Sequence, residues 1–509
     1  MPHGIPPACE RFRVQFRFRP CPAIGPQAKY LFFGTFRIKR TSKGEESIDR
    51  VNCVRTWEVK VKVFFSQFRV SSLLAFLLLA TQGTFAQSEG WFRAGTGLGD
   101  ANKPRLAIAD FAPRADSAKS HSTLFTQLVR DDLQFSGILE LASPSFYPPQ
   151  APSVPAELKP AVWIDPPTNA NFLGFGNLTE STAEVAIEAW LYDVRSPSSQ
   201  AVVGKVYRGA PTDVQVRKFA HQFADEVIGK LSGGLPGVAS TQIAFVSSRS
   251  GSKEIWVMDY DGSNQRQLTT LKSISLTPRW SPDASRIAFT CFAPSAGLTS
   301  AQICMYSLDT GKLVSFPRFR GTNITPAWSP DGTQIIFSSS MQGNPELYVT
   351  DTSGGRPKRL TNANGASMSP SWNPKTGQTV AFVSDRGGTP QLYLMDSDGT
   401  SATKLDLPDK GYVIDPAWAP NGQLLAFSWR RPNDNYDIYV MDAASRQLVE
   451  LTRDQGRNER PCWAADGRHL VFESTRGGTR QIWTMLADGS QPRQLTTSGH
   501  NESPNWSPK

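Results

Sequence analysis

At 509 residues, with 54 Lys and Arg against 45 Asp and Glu, the chain is long enough for two or three domains and carries a formal charge of +9. The surplus sits at one end: residues 1–86 hold 14 basic and 5 acidic residues, which leaves 40 of each in residues 87–509. That neutral remainder gives no basic surplus to argue for a nucleic-acid partner.

Residues 1–58 interleave Phe and Arg (RFRVQFRFRP) and precede a segment, 59–86, that reads as a secretory signal. Lys60, Lys62 and Arg69 lead an apolar run from Val70 to Ala80, and Thr84-Phe85-Ala86 offers small residues for cleavage after Ala86. The run is shorter than the roughly 20 apolar residues of a membrane-spanning helix. A cleaved signal is therefore expected rather than an anchor, and no lipobox-like cysteine stands near the cleavage site. No Met lies between Met1 and Met258, whereas a start at Val59, Val61 or Val63 would give an ordinary signal peptide. Residues 1–58 are expected to be a mis-assigned or disordered leader, and 87–102 a flexible mature N-terminus.

Residues 103–235 do not repeat and read as a small α/β domain of two helices on a mixed sheet. Pro104–Phe111 is an expected strand, followed by a helix over about 121–135 with Leu124, Phe125, Leu128 and Val129 on one face and Gly137 just past its end. Short strands are expected at 138–141 and 171–177, then a hairpin of Ala183–Val194 and Ala201–Arg208. A second helix starts after Thr212, a good N-cap, and runs to about Leu231, with Val216, Phe219, Phe223, Val227 and Leu231 at helical spacing. The Pro-rich stretch 144–167 reads as irregular. Gly-Phe-Gly at 174–176 is no nucleotide loop, since neither a third glycine nor a helix follows it.

From Gln242 to Lys509 a period near 45 residues dominates. Its marker is a Trp after Pro, then a turn and an apolar strand: PRWSPDASRIAF at 278–289, PAWSPDGTQIIF at 326–337, PSWNPKTGQTVAF at 370–382, PAWAPNGQLLAF at 416–427 and PCWAADGRHLVF at 461–472. A last copy, PNWSPK, occupies 504–509. Strands such as ELYVTDTSGG and QLYLMDSDG follow the markers, EIWVMDYDG completes the first hairpin, and short polar strands at 266–269, 358–361 and 493–496 complete sets of four, the signature of a propeller blade. The first hairpin lacks a PxW segment before it, and the last PxW lacks a strand after it. Each supplies what the other lacks, which predicts an all-β six-bladed propeller over 242–509 closed by its C-terminal strand.

The repeated Trp-Ser-Pro-Asp-Gly is structural in this reading: Trp fills space between blades, and Pro and Asp-Gly set the turn. Cys291, Cys304 and Cys462 lack metal-binding spacing; Cys291 and Cys304 fall on strands expected to pair, as a disulfide or as buried thiols. His3, His121, His221, His469 and His500 show no ligand spacing, and no G-x-S-x-G nucleophile elbow occurs. No catalytic residue, metal or cofactor is expected. Two alternatives stay open: the propeller of an enzyme of peptidase-cap or lyase type, and a scaffold for another partner such as an outer-membrane protein or peptidoglycan.

The order of signal, small α/β domain and PxWSPDGxxIAF repeats closed by PNWSPK resembles the TolB family, the periplasmic components of the Tol–Pal system, over roughly 104–509. Ala-Val-Trp at 161–163 adds a weaker match. The resemblance implies a non-enzymatic periplasmic protein that binds the lipoprotein Pal at one mouth of the channel and supports outer-membrane integrity, cell division and protein import. It places Pal-contacting residues in loops entering each inner strand: Leu276 and Thr277, Thr322 and Thr325, Met368 and Ser369, Ile414 and Asp415, Glu459 and Arg460, and Glu502 and Ser503. It also implies a TolA contact by the mature N-terminus, linked to Pal binding. The segment here, QSEGWFRAGTGLGDAN at 87–102, departs from the family pattern.

Overall fold

The computed structural model describes residues 103–509 apart from 197–199, 293–296, 298 and 432–434. The leader, the signal and the mature N-terminus expected at 1–102 lie outside the described residues.

In the α/β domain β1 (Arg105–Ile108) pairs in parallel with β3 (Glu140–Leu141) and β4 (Phe172–Glu180), and β2 (Ala112–Pro113) also joins β4. Antiparallel β5 (Val185–Asp193) and β6 (Ala201–Gly209) extend the sheet, which is therefore mixed. Helices α1 (Lys119–Phe135) and α3 (Asp213–Leu231) pack on it through the stripes read from their spacing, with Phe125, Val129, Val216, Phe223 and Val227 all in the core. Thr212 caps α3 by accepting the Gln215 N–H (3.3 Å). Gly137 follows α1 at φ +72°, a conformation open to glycine at little cost.

Two expectations are corrected here. The strand expected over Pro104–Phe111 stops at Ile108, because the Phe111 N–H and C=O turn to the Thr126 and Ser122 hydroxyls of α1. The Pro-rich excursion is not wholly irregular, since α2 (Ala161–Ile164) begins behind Pro160 and buries Trp163. Gly-Phe-Gly lies within β4, where a Cβ on Gly176 would stand 2.0 Å from the Glu188 carbonyl and 2.4 Å from Phe111. Close packing, not phosphate binding, requires these glycines.

Six four-stranded blades follow. Blades 1 to 5 begin with inner strands Ile274–Trp280, Asn323–Trp328, Ser367–Trp372, Tyr412–Trp418 and Asn458–Trp463. Blade 6 is composite: Asn501–Trp506 pairs antiparallel with Gln242–Ser247, setting Trp506 opposite Ile243 and Asn501 opposite Ser247. The Trp506 indole donates to Thr241 Oγ1 (2.6 Å), Ser507 N–H to the Gln242 carbonyl (2.8 Å) and Gln242 N–H to Ser507 Oγ (2.9 Å). The short polar strands shrink to pairs such as Arg266–Gln267, because the next residues turn inward. Thr269 Oγ1 accepts the Ile255 N–H (2.8 Å) and donates to Glu254 (2.5 Å).

The repeated motif does what its residues suggest. Indole N–H groups of Trp280, Trp328 and Trp463 donate to carbonyls of Asn505, Arg279 and Ala417 in the preceding blade, at 3.1, 3.0 and 3.1 Å. Trp372 instead bonds the Gly377 carbonyl of its own turn (2.7 Å), where PSWNPKTGQTVAF is one residue longer than its neighbours. Asp283 accepts from Ser281 Oγ and Ser285 N–H inside the turn, and those bonds push its carboxyl down to about 2. Cys291 and Cys304 form a disulfide with Cα atoms 5.8 Å apart.

The domain and the propeller share one apolar core, in which Phe125, Val129 and Phe223 join Ile243, Phe245, Val471 and Trp506. Polar contacts fix the seam. His469 bonds Asp466 through Nδ1 (2.6 Å) and the Phe135 carbonyl through Nε2 (2.7 Å), and Arg493 lies 4.1 Å over the Phe135 ring. Asp132 of α1 accepts from His221 Nδ1 (2.8 Å) and from the Tyr260 hydroxyl of blade 6.

Two outcomes follow. Trp506→Ala removes a buried indole at the closure and should cost about 3–5 kcal/mol in chemical denaturation; a loss under 1 kcal/mol would leave the closure without that weight. His221 is pushed down by burial but more strongly up by Asp132, so its net shift is upward from the usual 6.5. A raised histidine stabilises fully below that value and loses its contribution as pH rises through the folded one. The melting-temperature advantage of wild type over His221→Gln should thus be greatest near pH 6 and shrink toward pH 9; a constant gap would contradict the pairing.

Candidate functional site

The six inner strands share a distortion at one place. In each, one extra residue interrupts the pairing just before the Pro of PxW: Leu276 pairs Thr290 and Arg279 pairs Ala288, and the same slip recurs in all six blades. The residue before Pro takes positive φ every time, at Thr277, Thr325, Ser369, Asp415, Arg460 and Ser503, between 49° and 55°. Pro cannot donate to the ladder, so the strand bulges there. For β-branched Thr277 and Thr325 such a φ is strained, and a strain repeated around a ring marks a place where side chains are deliberately re-aimed.

This corrects the expected placement. Of the twelve candidates only Thr322 lies in a loop; the other eleven lie within the inner strands, at the bulge or one residue before it. Register also shows that the blade 2 counterpart of Leu276, Met368 and Ile414 is Ile324, not Thr322. Sequence spacing alone hid the bulge, because a one-residue slip leaves no mark in the PxW motif.

The upper mouth, where the inner strands begin, is chemically lopsided. Blades 1 to 4 bring Leu276, Ile324, Met368 and Ile414 to the residue before the bulge, with hydroxyls behind them. Thr277 Oγ1 meets Thr290 Oγ1 at 2.9 Å, and Thr325 Oγ1 meets Ser338 Oγ at 2.9 Å. Blades 5 and 6 put Glu459 and Glu502 there, and these belong to a network. Glu459 pairs with Arg457 (2.8 Å) and Arg480 (3.1 Å), and Glu502 with Lys253 (2.5 Å) and Arg480 (3.8 Å). Arg460 reaches Asp415 (3.7 Å), Glu473 (3.4 Å) and Ser503 Oγ (2.6 Å), and Ser503 N–H bonds Glu473 (2.6 Å). Asp415, Glu459, Arg460, Glu502 and Ser503 are thus brought together, while among the described residues no side-chain hydrogen bond or ion pair ties Leu276, Thr277, Thr322, Thr325, Met368, Ser369 or Ile414 to that network.

Burial pushes the Asp415 and Glu473 carboxyls up, against the pull of Arg460. Burial also opposes charge on Arg460, but Glu473 and Asp415 outweigh it and hold the guanidinium more firmly protonated than usual. Burial pushes the Glu502 carboxyl up, but Lys253, Arg460 and Arg480 together outweigh it and hold it below its ordinary range.

Sequence reasoning missed Glu473, Arg480, Lys253 and Arg279. The signal was present as departure from the repeat: where blades 1 to 4 and 6 have Thr290, Ser338, Val383, Ser428 and Val246, blade 5 has Glu473. Below the bulge, the residues between Pro and Trp line a channel cavity of about 400 Å³, and Arg279 is the one charged residue among them, beside Ala327, Ser371, Ala417, Cys462 and Asn505. Burial pushes its guanidinium down. The network pairs acid with base and presents no nucleophile to a general base. Among the described residues no group of three or more His, Cys, Asp or Glu could hold a metal.

A family model described as the TolB beta propeller domain matches residues 230–413 and 407–509. The chain belongs to the TolB family. A TolB homolog of Chlorobium chlorochromatii is 34% identical over 278 residues, which cover 55% of this chain and 60% of that relative. The Tol-Pal system protein TolB of Bordetella pertussis is 29% identical over 439 residues, 85% of this chain and 94% of the relative. The crystal structure of TolB from Acinetobacter baumannii superposes with a TM-score of 0.68 at 25% identity, covering 80% of this chain and 97% of that one. The six-bladed propeller behind a small α/β domain is the TolB architecture.

Glu473 is the hub of the network, since it alone touches Arg460, Arg480 and the Ser503 amide. Glu473→Leu removes a fully buried carboxylate from between two half-buried guanidiniums, which keep Asp415, Glu459 and Glu502 as partners, and should cost about 1–3 kcal/mol. A double-mutant cycle with Arg480→Ala should show coupling above about 1 kcal/mol; additive losses would break the network apart.

Proposed function

We propose that this chain is a periplasmic component of a Tol–Pal system that docks the lipoprotein Pal at the upper mouth of its propeller, in support of outer-membrane integrity and cell division. The names of the Tol-Pal relatives support the system, and the signal expected at 59–86 supports the compartment. The observation that carries the docking reading is the sixfold bulge. It presents a ring of differing side chains on a frame that barely varies, the arrangement expected of a binding surface on a rigid scaffold. An apolar arc on blades 1 to 4 beside a charged arc on blades 5 and 6 would supply burial and register together. A TolA contact through 87–102, linked to Pal binding, is part of the same proposal and requires reciprocal effects on affinity.

Titration calorimetry of residues 87–509 against the cognate Pal tests this. Met368→Asp and Leu276→Asp, on the apolar arc, should each weaken binding at least tenfold; Leu276 also packs against its blade core, so that variant is read beside a stability control. Arg460→Glu should do the same through charge, though it needs a stability control. Absence of Pal binding by the intact protein, or wild-type affinity in all three variants, would overturn the reading.

A further inference from the structure

A cavity of about 710 Å³ opens between blades 3 and 4. It lies at the upper end of the propeller, since Tyr412 begins the blade 4 inner strand and pairs with Arg430. Four cations line it, Lys404, Lys410, Arg430 and Arg431, and among the described residues no carboxylate does. Two of them are matched: Arg431 pairs with Glu450 (3.1 Å) and Lys404 with Asp406 (3.5 Å). Lys410 and Arg430 have no carboxylate partner among the described residues. Arg430 is held instead by aromatic faces, 4.4 Å from the Tyr412 ring centre and 5.5 Å from that of Tyr436. A guanidinium pinned this way keeps its planar fork of donors oriented while leaving them unspent, a preorganised anion receptor.

The rest of the lining is neutral and polar. Gly387-Gly388 bares backbone at a turn where Gly388 has φ +103° and a Cβ would meet nothing within 4 Å. Gln391 ties the floor together by donating to the Gly411 carbonyl of blade 4 (2.8 Å), and Thr389 donates a hydroxyl to the wall. Tyr412 is 40% exposed. The volume far exceeds that of a lone oxyanion and falls within the range of small-molecule sites, about 300–1,000 Å³. Unspent cations, one exposed aromatic ring, and hydroxyl, amide and backbone groups together suit a ligand with an anionic group on a hydroxyl-rich ring. We propose that the cleft between blades 3 and 4 binds an acidic saccharide, a sugar unit carrying a carboxylate or a phosphate. The proposal does not rest on Pal docking, although Asp415 of the charged cluster stands on the same blade 4.

Calorimetry with the purified full chain tests it with four probes: a soluble peptidoglycan disaccharide-peptide, glucosamine phosphate, neutral chitobiose and inorganic phosphate. At least one acidic sugar should bind, at least tenfold tighter than chitobiose and than phosphate. Which of the two binds separates a cell-wall source from a phosphorylated-lipid source. Lys410→Glu and Tyr412→Ala should each weaken that binding at least fivefold, with unchanged melting temperature. Failure of both acidic sugars to bind, phosphate binding as tightly as they do, or binding indifferent to both substitutions would each overturn the proposal. Pal affinity measured on the same two variants reads out separately from this outcome.

Discussion

The structure depends on one pairing, that of Asn501–Trp506 with Gln242–Ser247. Radial stacking of sheets protects most strand edges, but the first and last blades each keep an unpaired side until they meet. Here the chain resolves that by splitting one blade between its two ends, so backbone groups more than 250 residues apart satisfy each other, as Gln242 and Ser507 do. The closure is also continuous with the domain core: Ile243, Phe245 and Trp506 belong to the same core as the helices of the α/β domain. A propeller closed this way fixes the relative positions of all six inner strands. Only then do their bulges form a ring.

The bulges are what turn a repeated scaffold into a varied surface. Pro at the same place in each inner strand forbids a continuous ladder, so the chain turns at the preceding residue and pays in left-handed backbone what it gains in side-chain direction. Because the frame repeats, the residue at the bulge is free to differ, and it does: hydroxyls on blades 1 to 3 and 6, an acid on blade 4, a base on blade 5. Blade-to-blade hydrogen bonds reuse the same geometry. The bulge amides of Thr325, Arg460 and Ser503 donate to Thr290, Ser428 and Glu473 of the preceding blade. The amide freed from the ladder is thereby satisfied.

The architecture was legible because it rests on local, repeated chemistry. Period, turn residues and the unmatched ends foretold six blades and their closure, and helical spacing foretold α1 and α3 with Thr212 as cap. What was not legible rests on register and on contacts across blades. The bulge shifts pairing by one residue without altering the motif, so eleven candidates fell in strands where loops were expected, and Ile324 was passed over for Thr322. The charged network draws on Glu473, Arg480 and Lys253, which come from second and third strands or the turns between them. A motif centred on the inner strand does not reach these, although aligning the repeats position by position exposes Glu473 as the one acid in a column of Thr, Ser and Val.

Blades 5 and 6 carry two burdens at once. At the lower end, where inner strands finish, they hold the α/β domain through His469, Asp466, Tyr260 and Trp506. At the upper end they hold Glu459, Arg460, Glu502 and Ser503. The two sets are joined by short strands, with Asn501 and Trp506 the ends of a single one of six residues, about 17–20 Å long. Close-packed strands transmit displacement rather than absorbing it, so a partner that shifts Ser503 or Glu502 acts on the same strand that seats Trp506 against the domain. The asymmetry of the mouth thus has a structural sense. Among the described residues, the charged arc of blades 5 and 6 stands on the same two blades whose side chains enter the core shared with the α/β domain.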